Sequence, residues 1–354
     1  MPPAILATMP EPPVPPLLVE LRSGVDRTLR AFLAEERAAI ASEHRAFLPL
    51  FDEVERIVGA GGKRLRPMFC RLGYLAGGGT AEEAITKVAA ALELFHTFAL
   101  IHDDVMDESD ERRGAPTIHV RMAEGRRGRS GAERFGLSSA ILAGDFAMVL
   151  ADHLFLSSGF PADRLAAAFR RYNRMRVEVA VGQFLDLEGS ARAVDEREAR
   201  RISSLKSGGY TVEGPLQVGA VLADASIEVL SALSRYGAPL GEAFQIQNDL
   251  ASIEAGPDLA QRRPTVVVAK ARELATPGDR RAMDELDSGE SGLAELRAIL
   301  ERSGAIEQTR SLVRDLVERS LAALDDARLD RETWGALRAL AEMIASPDPV
   351  RPAG

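Results

Sequence analysis

From about Leu17 onward, apolar residues recur every three to four positions and strict alternation is nearly absent. That period predicts helices and few strands. Candidate helices cover roughly 17–41, 45–59, 64–76, 81–106, 137–158, 163–188, 195–207, 210–222, 226–252, 264–273, 291–302, 304–326 and 330–345. Turn signals such as Gly61-Gly62, Gly77-Gly78-Gly79 and Gly256-Pro257 separate them. The Arg- and Gly-rich stretch 121–134 and the Gly-, Asp- and Glu-rich stretch 277–291 are expected to be exposed loops. No fixed repeat and no linker divides the pattern, so one all-α domain over 17–346, a single large helical bundle, is the expected fold. Seven of the first 16 residues are proline, which predicts a disordered leader over 1–16; 347–354 reads as a disordered tail.

Composition narrows the function. The 354 residues are 46% hydrophobic and carry a net charge of −9, which argues against nucleic acid as a partner, since a phosphate-backbone binder needs a basic face. Cys70 is the sole cysteine, so no intrachain disulfide forms and a reducing cytoplasm is the expected setting. No uninterrupted apolar stretch reaches about 18 residues, so no membrane span is expected, and the N-terminus lacks the basic and apolar regions of a secretory signal.

The chemistry concentrates in 100–117. Asp103, Asp104 and Asp107 follow an apolar helical run, and Arg112 and Arg113 come shortly after. On a helix Asp103 and Asp107 are one turn apart on one face. Two hard carboxylates in that relation suit Mg²⁺, which takes oxygen ligands together with substrate phosphates, and the arginine forks match phosphate oxygens. Acidic residues at a helix end are, alone, no more than a solvated face. Here the preceding run, 89–101, is too apolar for the surface, and His96 lies seven residues before Asp103, only about 20° off the same stripe. The pattern predicts one wall of a polar cavity.

Upstream, Gly61-Gly62-Lys63-Arg64-Leu65-Arg66-Pro67 pairs a tight turn with a helix N-terminus and cations, an anion cup with Lys63 and Arg66 on one face. Downstream, Lys206-Ser207 precedes Gly208-Gly209, Gln183 and Asp186 share a helical face, and Gln245, Asn248, Asp249 and Ser252 make a polar stripe on an apolar helix. Such a stripe needs partners or a cavity.

Six blocks carry a resemblance: Gly61–Pro67, Glu93–His119, Ile141–Phe146 (ILAGDF), Gly182–Leu187 (GQFLDL), Lys206–Ala220 and Phe244–Asp249 (FQIQND). In that order the chain resembles the trans-isoprenyl diphosphate synthases, or polyprenyl synthetases. The resemblance implies a bundle around a central active-site cavity, and a homodimer. It implies that Lys63, Arg66, His96 and Arg113 bind isopentenyl diphosphate, and that Asp103 and Asp107, supported by Asp104, hold Mg²⁺. Arg112 and Lys206 would hold the allylic diphosphate beside Ser207, which stands where the family usually has threonine, and Gln245. Asp249, with Asn248, would take a third ion. Phe98, five residues and about 7.5 Å before Asp103, with Phe95 a turn deeper, would form the floor that sets product length, C20 favoured and C15 next.

The second acidic motif departs from the family pattern, with Asn248-Asp249-Leu250-Ala251-Ser252 where DDxxD or DDxxG is usual, and arginines at 262 and 263 where lysine is expected. Two alternatives follow: a class I terpene cyclase or atypical prenyl transferase, although Gly256 occupies the position of that pattern's glutamate, and a non-catalytic subunit of a heteromeric synthase.

Overall fold

In a computed structural model, residues 14–190, 192–255, 263–286, 290–325, 327 and 329–346 are described. Most of the predicted leader, the tail, Gly256 and 258–262 lie outside them.

The helices are α1 (Pro16–Glu43), α2 (Leu48–Gly59), α3 (Leu65–Ala76), α4 (Glu82–Met106), α5 (Ile118–Glu124), α6 (Ala132–Leu156), α7 (Ala162–Gly189), α8 (Glu196–Ser203), α9 (Gly214–Leu222), α10 (Ile227–Ala255), α11 (Val266–Leu274), α12 (Pro277–Glu285), α13 (Glu290–Arg302), α14 (Ala305–Asp325) and α15 (Arg331–Ala345). A two-stranded hairpin, β1 (Glu111–Arg112) and β2 (Ala115–Pro116), follows α4. The all-α expectation therefore holds, with the helix-period pattern dictating the elements.

Three apolar clusters form the interior. One gathers α3, α10, α11, α14 and α15; the second gathers α1, α4, α6, α7 and α9; a smaller one joins α2, α4, α5 and α6. α4 belongs to two of them, and Val88 through Phe95 are all buried, so the helix carrying the Asp run is fixed from several sides.

Three expectations are corrected. Stretch 121–134 is not all loop: Ile118 is buried and Arg121 reaches Glu53 on α2, which holds α5 in place, and α6 begins at Ala132 rather than 137. Stretch 277–291 contains α12, started by Pro277 in its first turn and a Thr276 side chain that accepts from the Asp279 amide; 287–289 lie outside the described residues. The expected break at Gly208-Gly209 is instead a π-helix, Ser204–Glu213, running from α8 into α9. Its glycine serves close approach: a Cβ on Gly208 would lie 2.7 Å from the Gly241 backbone of α10. Helices α4 and α6 are each long and apolar enough to cross a membrane by length and composition, yet 67% and 50% of their apolar windows are buried within the protein. The buried share of their apolarity answers to neighbouring helices.

Candidate active site

α4 ends at Met106 and Asp107 caps it in a near-helical conformation, so Asp103 and Asp107 keep the predicted one-turn relation. Each carboxylate has a cation. Arg112, from β1, donates to Asp104 at 2.7 Å and lies 3.4 Å from Asp103. Lys206 lies 3.6 Å from Asp103 and bonds Asp186. Arg263, which precedes α11, pairs with Asp107. Burial pushes the Asp104 carboxyl up to about 6 against the pull of Arg112, with Asp103 and Asp107 adding to the rise. Burial and then Asp103 also raise Asp107, while Arg263 and Lys206 oppose them.

The π-helix brings Lys206 to this end of α4 and Tyr210 to the Phe95–His96 turn farther back. It packs on α7 so closely that a Cβ on Gly182 would sit 2.3 Å from the Lys206 amide nitrogen. Asp186, one turn on from Gly182, is buried and anchors the Lys206 ammonium. Gln183, its predicted companion, meets Met106 instead.

Seven residues back along the α4 stripe lies the cation cup. Arg66 is buried, donates to the Thr211 hydroxyl at 2.8 Å and lies over the Tyr210 ring at 4.1 Å. Its Nε meets no hydrogen-bond partner among the described residues, a donor suited to an added anion. The His96 ring nitrogen lies 3.3 Å from the Tyr210 hydroxyl. Arg113, at the hairpin turn with φ 55°, donates to the Gly61 carbonyl. Arg64, unassigned from sequence, is the frame of the cup. It adopts the left-handed region (φ 50°) and spends its guanidinium on Asp26 (2.9 Å), Glu93 (2.6 Å) and the Val58 carbonyl (2.8 Å).

Two site expectations are corrected. Lys63 does not share a helical face with Arg66, because Arg64 is left-handed and α3 starts only at Leu65. Lys63, its ammonium lowered by burial, lines a cleft with Phe244, Asn248 and Ser346. Asn248 is exposed on that side, turned from Asp249, which is buried and accepts from Gln245 at 2.7 Å; the Ser252 hydroxyl turns back to the Asp249 carbonyl. The polar stripe thus splits between two faces. Among the described residues, no three His, Cys, Asp or Glu side chains come close enough to hold a metal ion by themselves. Asp103 and Asp107 nevertheless fit a divalent cation chemically: they are hard oxygen donors one turn apart, and Asp107 is raised partly by Asp103, a repulsion that a dication relieves.

Arg64, Glu93, Asp186, Tyr210, Thr211 and Arg263 went unrecognised as site residues. Asp186 had a signal in a shared helical face, Arg263 in the arginines at 262 and 263, and Arg64 in the glycine–cation motif.

Toward its N-terminus from Asp103, α4 carries aromatic side chains. Phe95 and Phe98 stack with centroids 5.4 Å apart, and Phe95 meets the edges of Tyr172 (5.7 Å) and Tyr210 (6.1 Å). Phe98 also lies against the His102 ring at 4.7 Å.

Burial first, then the guanidiniums of Arg66, Arg113, Arg112 and Arg64, hold the His96 imidazole well below its usual value. The unfolded chain then takes up this proton first as pH falls below about 6.5. Stability from neutral His96 is complete above that pH and is lost on acidification, by at most about 1.4 kcal/mol per pH unit. His96→Gln is expected to flatten the acid limb; equal losses for both proteins in urea titrations at pH 7.5 and 5.5 would refute a neutral His96.

The chain matches the Polyprenyl synthetase family over residues 49–302. It is 33% identical over 283 residues to a short chain isoprenyl diphosphate synthase of Methanothermobacter thermautotrophicus, covering 77% of this chain and 82% of that one. It is 31% identical over 317 residues to a geranylgeranyl pyrophosphate synthase of Geoglobus acetivorans, covering 84% and 92%. Among solved structures, a geranylgeranyl pyrophosphate synthase of Corynebacterium glutamicum complexed with isoprenyl diphosphate and magnesium superposes with a TM-score of 0.87 at 32% identity, over 94% of this chain and 99% of that one. Helix order, site geometry and these matches agree: the chain belongs to the polyprenyl synthetase family.

Proposed function

We propose that the protein is a trans-prenyltransferase that condenses isopentenyl diphosphate with an allylic diphosphate to give a short-chain prenyl diphosphate, C20 favoured over C15. The observation that carries this reading is the pairing, on one stripe of α4, of a carboxylate pair faced by cations (Asp103 and Asp107 with Lys206 and Arg263) and a separate cup of Arg66, His96 and Arg113 about two turns away. Two anion sites at fixed spacing suit a reaction that joins two diphosphate substrates. The cup also supports the synthase over the cyclase and the non-catalytic subunit, since a cyclase has no second diphosphate to place and an inactive subunit no use for the carboxylates.

In this reading Asp103 and Asp107, with Asp249 for a third ion, would hold two to three Mg²⁺, and the bound metal would supply positive charge to offset that of the diphosphate leaving the allylic carbon. Arg112 and Lys206, each oriented by a second carboxylate (Asp104 and Asp186), hold the allylic diphosphate. Arg66, His96 and Arg113 hold isopentenyl diphosphate so that its double bond meets the carbocation before water does. The proton then lost goes to the released diphosphate, so no side-chain base is needed.

The enzyme is further proposed to be a cytoplasmic homodimer. Leu142, Val149 and Leu156 recur every seven residues on α6 at 57%, 60% and 52% exposure, and Val177, Val181 and Phe184 continue an apolar stripe on α7; self-association would cover such a face. The buried Cys70 thiol suits a reducing compartment.

Incubation with isopentenyl diphosphate, farnesyl diphosphate and Mg²⁺ should give the C20 diphosphate; a hydrocarbon or alcohol product would favour the cyclase, and no product the inactive subunit. Phe98→Ala should lengthen the product by about one five-carbon unit, because Phe95, backed by Tyr172 and Tyr210, becomes the next floor. An unchanged product length on chromatography would remove Phe98 from the tunnel.

A further inference from the structure

Glu53 is a buried carboxylate on α2 that belongs to none of the sequence blocks. One oxygen lies 2.8 Å from Arg56 on the same helix, and the other 2.8 Å from Arg121 on α5. Arg56 in turn donates to the Pro116 carbonyl of β2 at 3.3 Å. Pro116 stands opposite Glu111, and Ala115 opposite Arg112, so β2 sets the height of the strand that carries Arg112 and of the turn that carries Arg113. α5 begins two residues after Pro116. Glu53 therefore grips the returning strand from both sides, through Arg56 on the strand itself and through Arg121 on the helix that follows.

The end of α2 touches the other half of the cup as well. The Val58 carbonyl accepts from Arg64, and the Gly61 carbonyl, two residues beyond the helix, accepts from Arg113. The two arginines of the hairpin are held unequally. Arg112 is charge-paired with Asp104 and Asp103, whereas Arg113 is held by a neutral carbonyl. A shift of the hairpin is thus corrected at Arg112 and left uncorrected at Arg113.

We infer that Glu53, acting through Arg56 and Arg121, is a positioning residue for Arg113, and so tunes affinity for isopentenyl diphosphate rather than for the allylic substrate. The inference rests on the function proposed above. A buried carboxylate flanked by two guanidiniums is costly to desolvate, and loss of either side leaves charge uncompensated; here those contacts fix the height of the arginine hairpin over the turn at Gly61.

Steady-state kinetics with each substrate varied in turn test this. Glu53→Gln keeps the shape of the side chain and removes its charge. It should raise KM for isopentenyl diphosphate roughly tenfold, the scale of a small misplacement of a binding group, with KM for the allylic diphosphate and kcat within about twofold. Arg56→Gln removes the donor to Pro116 together with one of the two guanidiniums on Glu53, lies nearer the surface, and should move the same KM in the same direction, so the test survives if Glu53→Gln does not fold. In the double variant Glu53→Gln/Arg113→Gln the increase should be little more than that of Arg113→Gln alone, because Glu53 acts through Arg113; a general loosening of the fold would give multiplied effects. Isopentenyl diphosphate KM within twofold of the unsubstituted enzyme in the folded variants overturns the inference. So does an equal rise in both KM values, or multiplied effects in the double variant. An unsubstituted enzyme that makes no prenyl diphosphate would instead refute the functional reading beneath it.

Discussion

Asp103→Ala should lower kcat by about 10³-fold or more while leaving the unfolding free energy within about 1 kcal/mol of the unsubstituted protein. The two halves of this expectation come from different neighbours. Asp103 retains a quarter of its side-chain exposure, and its cations do not depend on it: Arg112 keeps Asp104 at 2.7 Å, and Lys206 keeps Asp186. Its removal strands no buried charge, which is the usual source of a large stability loss. Activity behaves differently, because the carboxylate is half of the one-turn pair assigned to Mg²⁺, and charge on a departing diphosphate is worth several kcal/mol when neutralised in a preorganised site. Single-turnover rates with farnesyl diphosphate, read beside urea midpoints, separate the two. A variant within tenfold of the normal rate would remove Asp103 from the metal site; one with a normal fold and no turnover supports the assignment.

The sequence carried the placement of helices and the stripe on α4 because both are periodic, and a 3.6-residue period survives without tertiary information. His96, Asp103 and Asp107 could be put on one face by arithmetic alone. What the period could not carry is backbone departure from the α-helix. The left-handed Arg64 moves Lys63 off the face of Arg66, and the π-helix at Ser204–Glu213 replaces an expected break at two glycines. Glycine pairs signal turns by default; here Gly208 instead admits the backbone of α10 at Gly241, a contact between positions distant in the chain. The same blindness to long-range contact hid Arg263 on Asp107 and Asp186 beneath Lys206. It also hid the exposure of Asn248, whose neighbours include the C-terminal helix α15.

The division of labour among cations follows from this geometry. Arg64 is as prominent as Lys63 or Arg66 in the motif, yet each of its three guanidinium nitrogens already donates to the protein. Arg66, two positions on, has an Nε that meets no hydrogen-bond partner among the described residues and a face against Tyr210. The first builds the cup and the second faces its contents.

Arg64→Ala should accordingly cost about 3–5 kcal/mol of stability, the scale of an orphaned buried ion pair. Glu93 is 5% exposed, and its second oxygen already lacks a hydrogen-bond partner among the described residues, so without Arg64 a buried carboxylate loses the cation 2.6 Å from its first oxygen. Asp26 loses its partner too, but it is about a third exposed and regains water. The backbone contributes with the opposite sign. A non-glycine residue at φ 50° is strained by roughly 1 kcal/mol, and alanine keeps that strain whereas glycine relieves it. Arg64→Gly should therefore be less destabilised than Arg64→Ala by about 1 kcal/mol, although both delete the same guanidinium. Replacing Glu93 as well should recover much of the loss, so Arg64→Ala/Glu93→Gln would lie well short of the sum of the single variants, as expected for partners in direct contact. Urea unfolding at neutral pH of Arg64→Ala, Arg64→Gly, Glu93→Gln and the double variant beside the unsubstituted protein decides it. Additive losses, or a glycine variant no better than alanine, would mean that the buried pair and the left-handed turn do not hold the cup together as described.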